Sequence, residues 1–250
     1  VVSRSGQHYD RCAVLWTKQL SAFTHIPSAG DNRRLHHMIP RSGNGPLLVS
    51  FVYLPTDNAT HGDEGWCTEL ESLSSDMSRL HEQFSQDLVE GARVDHLVLG
   101  DMNVQPSALG GVCDRKPVRE RARSAFMCRH GLHLLNPGLG QTEAVDVQLP
   151  LRSKTVRARP GDTHHQVAGG SSRAIDLCAA TAGVARVVTV HNSLHCQGHQ
   201  PCPLQLCQEY TCGDHFLVQV DVYDSFVAPG NCGSSAMPGW LHDRERWSHM

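Results

Sequence analysis

The sequence predicts an α/β protein, with sheet at its centre and helices outside. Three observations carry this. A β-branched and aromatic run at 47–53 is followed by an amphipathic stretch at 66–89 and a second apolar run at 94–99. The alternation then gives way to apolar runs in succession at 175–179, 184–190 and 216–222. The chain has 250 residues, 40% of them hydrophobic and 19% charged, enough for one large globular core.

Taken in order, residues 12–16 read as a short buried strand. A polar stretch rich in His and Arg follows and ends at Pro40, before the turn-prone Ser42-Gly43-Asn44-Gly45-Pro46. The run from Leu47 to Tyr53 reads as a central strand, stopped by Pro55. Leu70, Leu73, Met77, Leu80, Phe84 and Leu88 recur at spacings of three and four, the mark of an amphipathic helix, with Gly91 as its stop. The next strand, 94–99, runs into Gly100-Asp101-Met102-Asn103. A second helix is expected over 119–131, closed by Gly131, and a strand over 132–135. After two further strands, residues 191–212 form an irregular segment rich in His and Cys, and Gly213-Asp214-His215 leads into the final strand. A domain over 1–225 is expected, with 226–250 as a Gly-, Ser- and Pro-rich linker or the start of a following segment.

Charge and cysteine content narrow the class. With 22 Lys+Arg against 25 Asp+Glu, the net charge is -3, so nucleic-acid binding would depend on local patches rather than bulk charge. Ten of the basic residues fall in two runs. One is Arg115, Lys116, Arg119, Arg121, Arg123 and Arg129, and the other is Arg152, Lys154, Arg157 and Arg159. The ten cysteines lack a regular disulfide framework, and no signal peptide is visible, so reduced thiols are expected. No apolar stretch is long enough to span a bilayer as a helix, and no membrane partner is expected.

Four polar clusters each abut a predicted strand: Tyr53-Leu54-Pro55-Thr56-Asp57, Asp101-Met102-Asn103, Ser171-Ser172-Arg173-Ala174-Ile175-Asp176 and Asp214-His215. Each alone reads as a turn or a strand end. Asp176 is different, because a carboxylate inside an apolar run requires a buried partner.

Together and in this order the clusters resemble the endonuclease/exonuclease/phosphatase superfamily, whose motifs include Tyr-x-Pro, Gly-Asp-Phe-Asn, Ser-Arg-Ile-Asp and Ser-Asp-His. The counterparts here are Tyr53-Leu54-Pro55, Gly100-Asp101-Met102-Asn103, Ser172-Arg173-Ala174-Ile175-Asp176 and Gly213-Asp214-His215. The likeness is greatest to endonuclease domains of non-LTR retrotransposons, through Thr56-Asp57, Val104-Gln105-Pro106, residues 131–136 and the spacing from Thr163 to Asp176. This implies a two-sheet α/β sandwich of the DNase I-like type over residues 10–225. It also implies Mg²⁺ (or Mn²⁺) dependence, DNA as substrate, a downstream reverse transcriptase in the same polyprotein, and an intracellular location with access to the nucleus.

The resemblance also assigns roles. Asp101 would orient or deprotonate the attacking water, and Asn103 would donate to a phosphoryl oxygen. His215, oriented by Asp176, would donate to the same phosphate, Tyr53 would add a hydrogen bond, and Asp214 would be the metal's oxygen ligand. Thr163, Arg157, Arg159 and Arg173 are the expected nucleic-acid contacts. The family's two opening motifs, an Asn and a metal-binding Glu, have no counterpart ahead of Tyr53, so the first strands are expected to be missing and metal binding and cleavage to be weak. A phosphatase or phospholipid phosphodiesterase, or an inactive remnant that only binds nucleic acid, are the alternatives. The spacing of Cys196, Cys202, Cys207 and Cys212 does not match paired zinc knuckles, so residues 191–212 are read as a surface loop rather than a Zn²⁺ site.

Overall fold

The structure is a computed structural model that describes residues 2–4, 13–15, 24–26, 33–41, 45–56, 62–86, 88, 90–109, 117–137, 145–149, 154–159, 161–164, 172–184, 186–191, 215 and 217–222. Its centre is a mixed six-stranded sheet, ordered β3 (Thr24–Ile26), β4 (Arg34–Ile39), β5 (Leu47–Tyr53), β6 (Asp95–Asp101), β10 (Asp176–Thr181) and β7 (Leu132–Leu134). Only β5 and β6 pair in parallel, joined by helix α1 (Gly62–Ser85) as the crossover; the remaining pairs are antiparallel. Helix α2 (Pro117–Arg129) joins β6 to β7. Two-stranded ladders complete the described elements: β1 (Val2–Arg4) with β2 (Ala13–Leu15), β8 (Val145–Leu149) with β9 (Lys154–Ala158), and β11 (Arg186–His191) with β12 (Leu217–Val222).

The alternation of β-strand side chains divides the core into two. Val52, Val98, Leu177 and Ala179 face the helices, where they meet Trp66, Leu70, Leu73 and Met77 of α1 and Phe126 and Met127 of α2. On the other face, Leu47, Val49, Leu97, Cys178 and Ala180 are covered by Val188 of β11 and by Val220 and Val222 of β12. The second layer among the described residues is therefore this two-stranded ribbon, not the full second sheet expected of a sandwich.

Helix α1 begins and ends earlier than its apolar spacing predicted: it spans Gly62–Ser85, with Asp63 and Glu64 in its first turn beside the positive end of the helix dipole. Gly91 does not stop it, but takes a left-handed turn, φ 83°, before β6. Gly131, φ 59°, closes α2 as expected.

Two expectations change here. Residues 13–15 form a strand, but it pairs with β1 outside the central sheet. Conversely, the polar stretch before Pro40 contributes β3 and β4 to that sheet. Arg34 and His36 of β4 are buried, and both are paired to α1: Arg34 with Glu69 at 3.1 Å and Asp76 at 3.3 Å, His36 with Asp76 at 3.6 Å. A strand whose inward side chains are polar, one a charged arginine and one an imidazole, lacks the apolar alternation by which a half-buried strand is read.

Candidate active site

Strand register builds the site. Tyr53, the last residue of β5, lies opposite Asp101, the last of β6, and Asp101 lies opposite Asp176, the first of β10. Three of the four polar clusters thus form one lateral row at a single end of the sheet. His215 joins it from the fourth cluster: its Nδ1 is 2.8 Å from Asp176 Oδ2.

The Gly100-Asp101-Met102-Asn103 segment is tied down on every side. Gly100 has φ 140°, and a Cβ there would overlap the Val52 carbonyl oxygen, so only glycine lets β6 run this close to β5. Asn103 has φ 49°, a left-handed conformation that Asn tolerates better than most residues. Its N–H donates to Asp101 Oδ1 at 2.9 Å, and its Nδ2 to the Leu54 carbonyl at 2.8 Å. Leu54 N–H in turn donates to the Asp101 carbonyl, and Met102 N–H to that of Ile175. From α1, the buried Trp66 donates its indole N–H to the Met102 carbonyl at 2.7 Å. Arg119 of α2 sits 5.6 Å from the centre of the Trp66 ring and is held by Asp63 at 2.7 Å.

Asp176 is fixed as firmly. Thr163 Oγ1 accepts the N–H groups of Ile175 at 3.2 Å and Asp176 at 2.9 Å. The side chain of Asn136 bridges β7 to β10, donating to the Asp176 carbonyl and accepting from Cys178 N–H, both at 2.9 Å. His164 pairs through its backbone with Arg173 on one side and His215 on the other, and its ring meets that of His215 edge-on, centres 4.8 Å apart.

The electrostatics follow from this crowding. Burial, and then the neighbouring Asp176 carboxylate, push the Asp101 carboxyl up to about 7. A carboxyl that titrates near neutrality can exchange a proton with water at working pH. Among the described residues, Asp101, Asp176 and His215 form a group whose ligand atoms all lie within 4.8 Å of one another. Its two carboxylates suit a hard cation, whereas His215 is engaged by Asp176 and offers nitrogen, which Mg²⁺ does not favour.

Tyr53, Asp101, Asn103, Asp176 and His215 are thus brought together. Asp214, the expected metal ligand, lies outside the described residues, as does most of the His/Cys-rich 191–212 segment. Thr163 has no exposed surface and its hydroxyl serves the backbone at Asp176, so it positions the site and offers DNA no surface. Arg157 is exposed on β9. Arg159 is half-buried against Asp162, 3.8 Å away, and Arg173 is half-buried beside His164. Of the first basic run, three described residues are paired: Arg119 with Asp63, Arg123 with Glu120 and Arg129 with Glu71. None of Trp66, Asn136 and His164 is a site residue by sequence, although Asn136 ends the 131–136 segment of the resemblance and Trp66 opens the apolar stripe of α1.

Solved structures with related architecture were found. An AP endonuclease from Leishmania major superposes with 13% identity and a TM-score of 0.45, over 66% of this chain and 52% of its own. The endonuclease domain of TRAS1, a telomere-specific non-LTR retrotransposon, gives 13% and 0.43, over 81% of this chain and 68% of its own. TDP2 from C. elegans gives 14% and 0.45, over 89% and 58%. The chain thus spans about half the length of the AP endonuclease. No family model and no curated protein sequence matches it. It is the geometry of the site, and not these superpositions, that bears the functional reading.

Proposed function

We propose that this chain hydrolyses phosphodiesters with Mg²⁺, and that its substrate is DNA, nicked on one strand as by a retrotransposon endonuclease domain. The observation that carries the reading is the 2.8 Å contact between His215 and Asp176, set beside Asp101 in adjacent strand register. With Nδ1 given to Asp176, the His215 tautomer is set and Nε2 is the ring nitrogen that serves a phosphoryl oxygen. Asp101, beside Asp176 in strand register, orients the attacking water through its carboxylate. Asn103 holds the Asp101 carboxylate through its backbone N–H. Tyr53, in register with Asp101 and half-buried, donates its hydroxyl to the phosphate. The Asp101 and Asp176 carboxylates would hold a divalent cation, which supplies charge stabilisation on the phosphoryl and leaving oxygens.

The test is plasmid nicking with Mg²⁺ by the wild-type chain and by His215→Ala, with a phosphomonoester assayed in parallel. Nicking abolished by His215→Ala supports the reading. Nicking that survives the substitution removes the mechanism, and turnover of the monoester alone moves the substrate to a phosphatase's.

A further inference from the structure

The strand beside the Asp176 carboxylate runs out of backbone donors just where the site begins. β7 pairs with β10 in the register Leu132↔Thr181, His133↔Ala180 and Leu134↔Ala179, and Leu135 N–H donates to the Cys178 carbonyl at 2.8 Å. In an antiparallel ladder the bonds to one neighbour recur at every second residue. The next carbonyl of β10 on that side is therefore that of Asp176. Leu134 faces Ala179, so three residues further on Pro137 would face Asp176. Proline has no N–H to give. Asp176 is the first residue of β10 and holds His215, so the missing donor falls at the site itself.

The Asn136 carboxamide fills this gap. Its Nδ2 donates to the Asp176 carbonyl and its Oδ1 accepts from Cys178 N–H, both at 2.9 Å. One planar amide thus makes the donor and acceptor bonds that a peptide unit of a longer β7 would make. Asn136 is 1% exposed, so its bonds do not compete with water. Beyond it the chain passes close to the segment that carries Thr163, since a Cβ on Gly161 would overlap the Pro137 carbonyl oxygen. Thr163 Oγ1 accepts the Asp176 N–H, so side chains hold both polar groups of the Asp176 backbone.

We propose that Asn136 is a positioning residue: its carboxamide replaces the backbone donor that Pro137 lacks, and so fixes Asp176 where its carboxylate holds His215 Nδ1. The inference rests on the function proposed above, in which Asp176 and His215 act as a pair. Asn136 needs no contact with substrate. Without its donor the first residue of β10 shifts, the 2.8 Å contact to His215 loosens, and the imidazole is no longer held in one tautomer.

The experiment records the ring-nitrogen NMR shifts of the neutral His215 imidazole, which report the nitrogen that carries the proton. It uses the 250-residue chain as wild type, Asn136→Asp, Asn136→Leu and Val94→Ala, and follows plasmid nicking with Mg²⁺ on the same proteins. Asn136→Asp keeps the size of the side chain and an acceptor for Cys178 N–H, but its carboxylate offers the Asp176 carbonyl no donor. Val94→Ala opens the small core around Leu48 and Leu80, at the other end of β6, and controls for lost stability. The expected result is the Nδ1–H form in the wild type and Val94→Ala, and a mixture of tautomers in both Asn136 variants. In nicking, kcat falls about 10- to 100-fold in the Asn136 variants with KM nearly unchanged. Should Asn136→Leu fail to fold, Asn136→Asp decides alone. A ring that keeps Nδ1–H in Asn136→Asp, or that shifts equally in Val94→Ala, overturns the proposal. The ring shifts need no substrate. A chain that loses the Nδ1–H form in Asn136→Asp yet never nicks DNA upholds the positioning role and sinks the nuclease reading instead.

Discussion

Asp101 and Asp176 stand directly opposite each other across β6 and β10, so the carboxylate that orients the His215 imidazole also adds to the rise that burial gives the Asp101 carboxyl. Two carboxylates this close resist ionising together, and the Asp101 carboxyl, also desolvated by its surroundings, is raised.

We therefore expect the Asp101 carboxyl to titrate near pH 7 in the metal-free protein, followed by carboxyl-carbon NMR. Saturating Mg²⁺ should move it down, because a bound cation favours the carboxylate. A value that does not respond to Mg²⁺ would place the ion elsewhere.

His215 and Asp176 act as one unit, so their losses should not add. His215→Ala and Asp176→Asn should each lower Mg²⁺-dependent nicking by about 10²–10⁴-fold, and the double variant should be little worse than either. Additive losses in single-turnover assays would mean that the two residues work apart.

Trp66 holds the catalytic segment from behind. Trp66→Phe removes the hydrogen bond to the Met102 carbonyl and leaves that buried oxygen unpaired, a cost of about 1–3 kcal/mol in urea denaturation. In kinetics, kcat should fall while KM is nearly unchanged, since Asp101 is displaced and no substrate contact is lost.

Acid should destabilise the fold through two buried histidines. Burial first of all holds both His36 and His96 at about 4, against 6.5 when exposed. Between those values the unfolded chain binds more protons, so stability rises with pH across that window and is lost as pH falls through it. Each histidine contributes up to about 3 kcal/mol at roughly 1.4 kcal/mol per unit. Urea midpoints measured at about pH 5 and pH 7.5 should show the loss, and His96→Gln should flatten it.

DNA contacts should divide unequally between the two arginines on and just after β9. Charge reversal at the exposed Arg157 should reduce the slope of log binding against log salt by about 1. Arg159 faces Asp162, so its reversal should change the slope less and cost stability instead. An unchanged slope for Arg157→Glu would leave that residue as solvated surface.

The sequence by itself determined the order of the four polar clusters, their placement at strand ends and the apolar stripe of α1. All of these are local patterns, visible because hydrophobic periodicity and turn residues act over a few positions. It also indicated that Asp176 needed a partner; the partner is His215 Nδ1, on a half-exposed rather than a buried ring. Only the tertiary structure decided that Arg34 and His36 belong to an interior strand, because their partners Glu69 and Asp76 lie on α1, far along the chain. The same holds for Thr163, which looked like a nucleic-acid contact and is instead a buried acceptor for Asp176 N–H. Trp66, Asn136 and His164 entered for the same reason: each acts through a single cross-element contact, and such contacts leave no periodic trace in the chain.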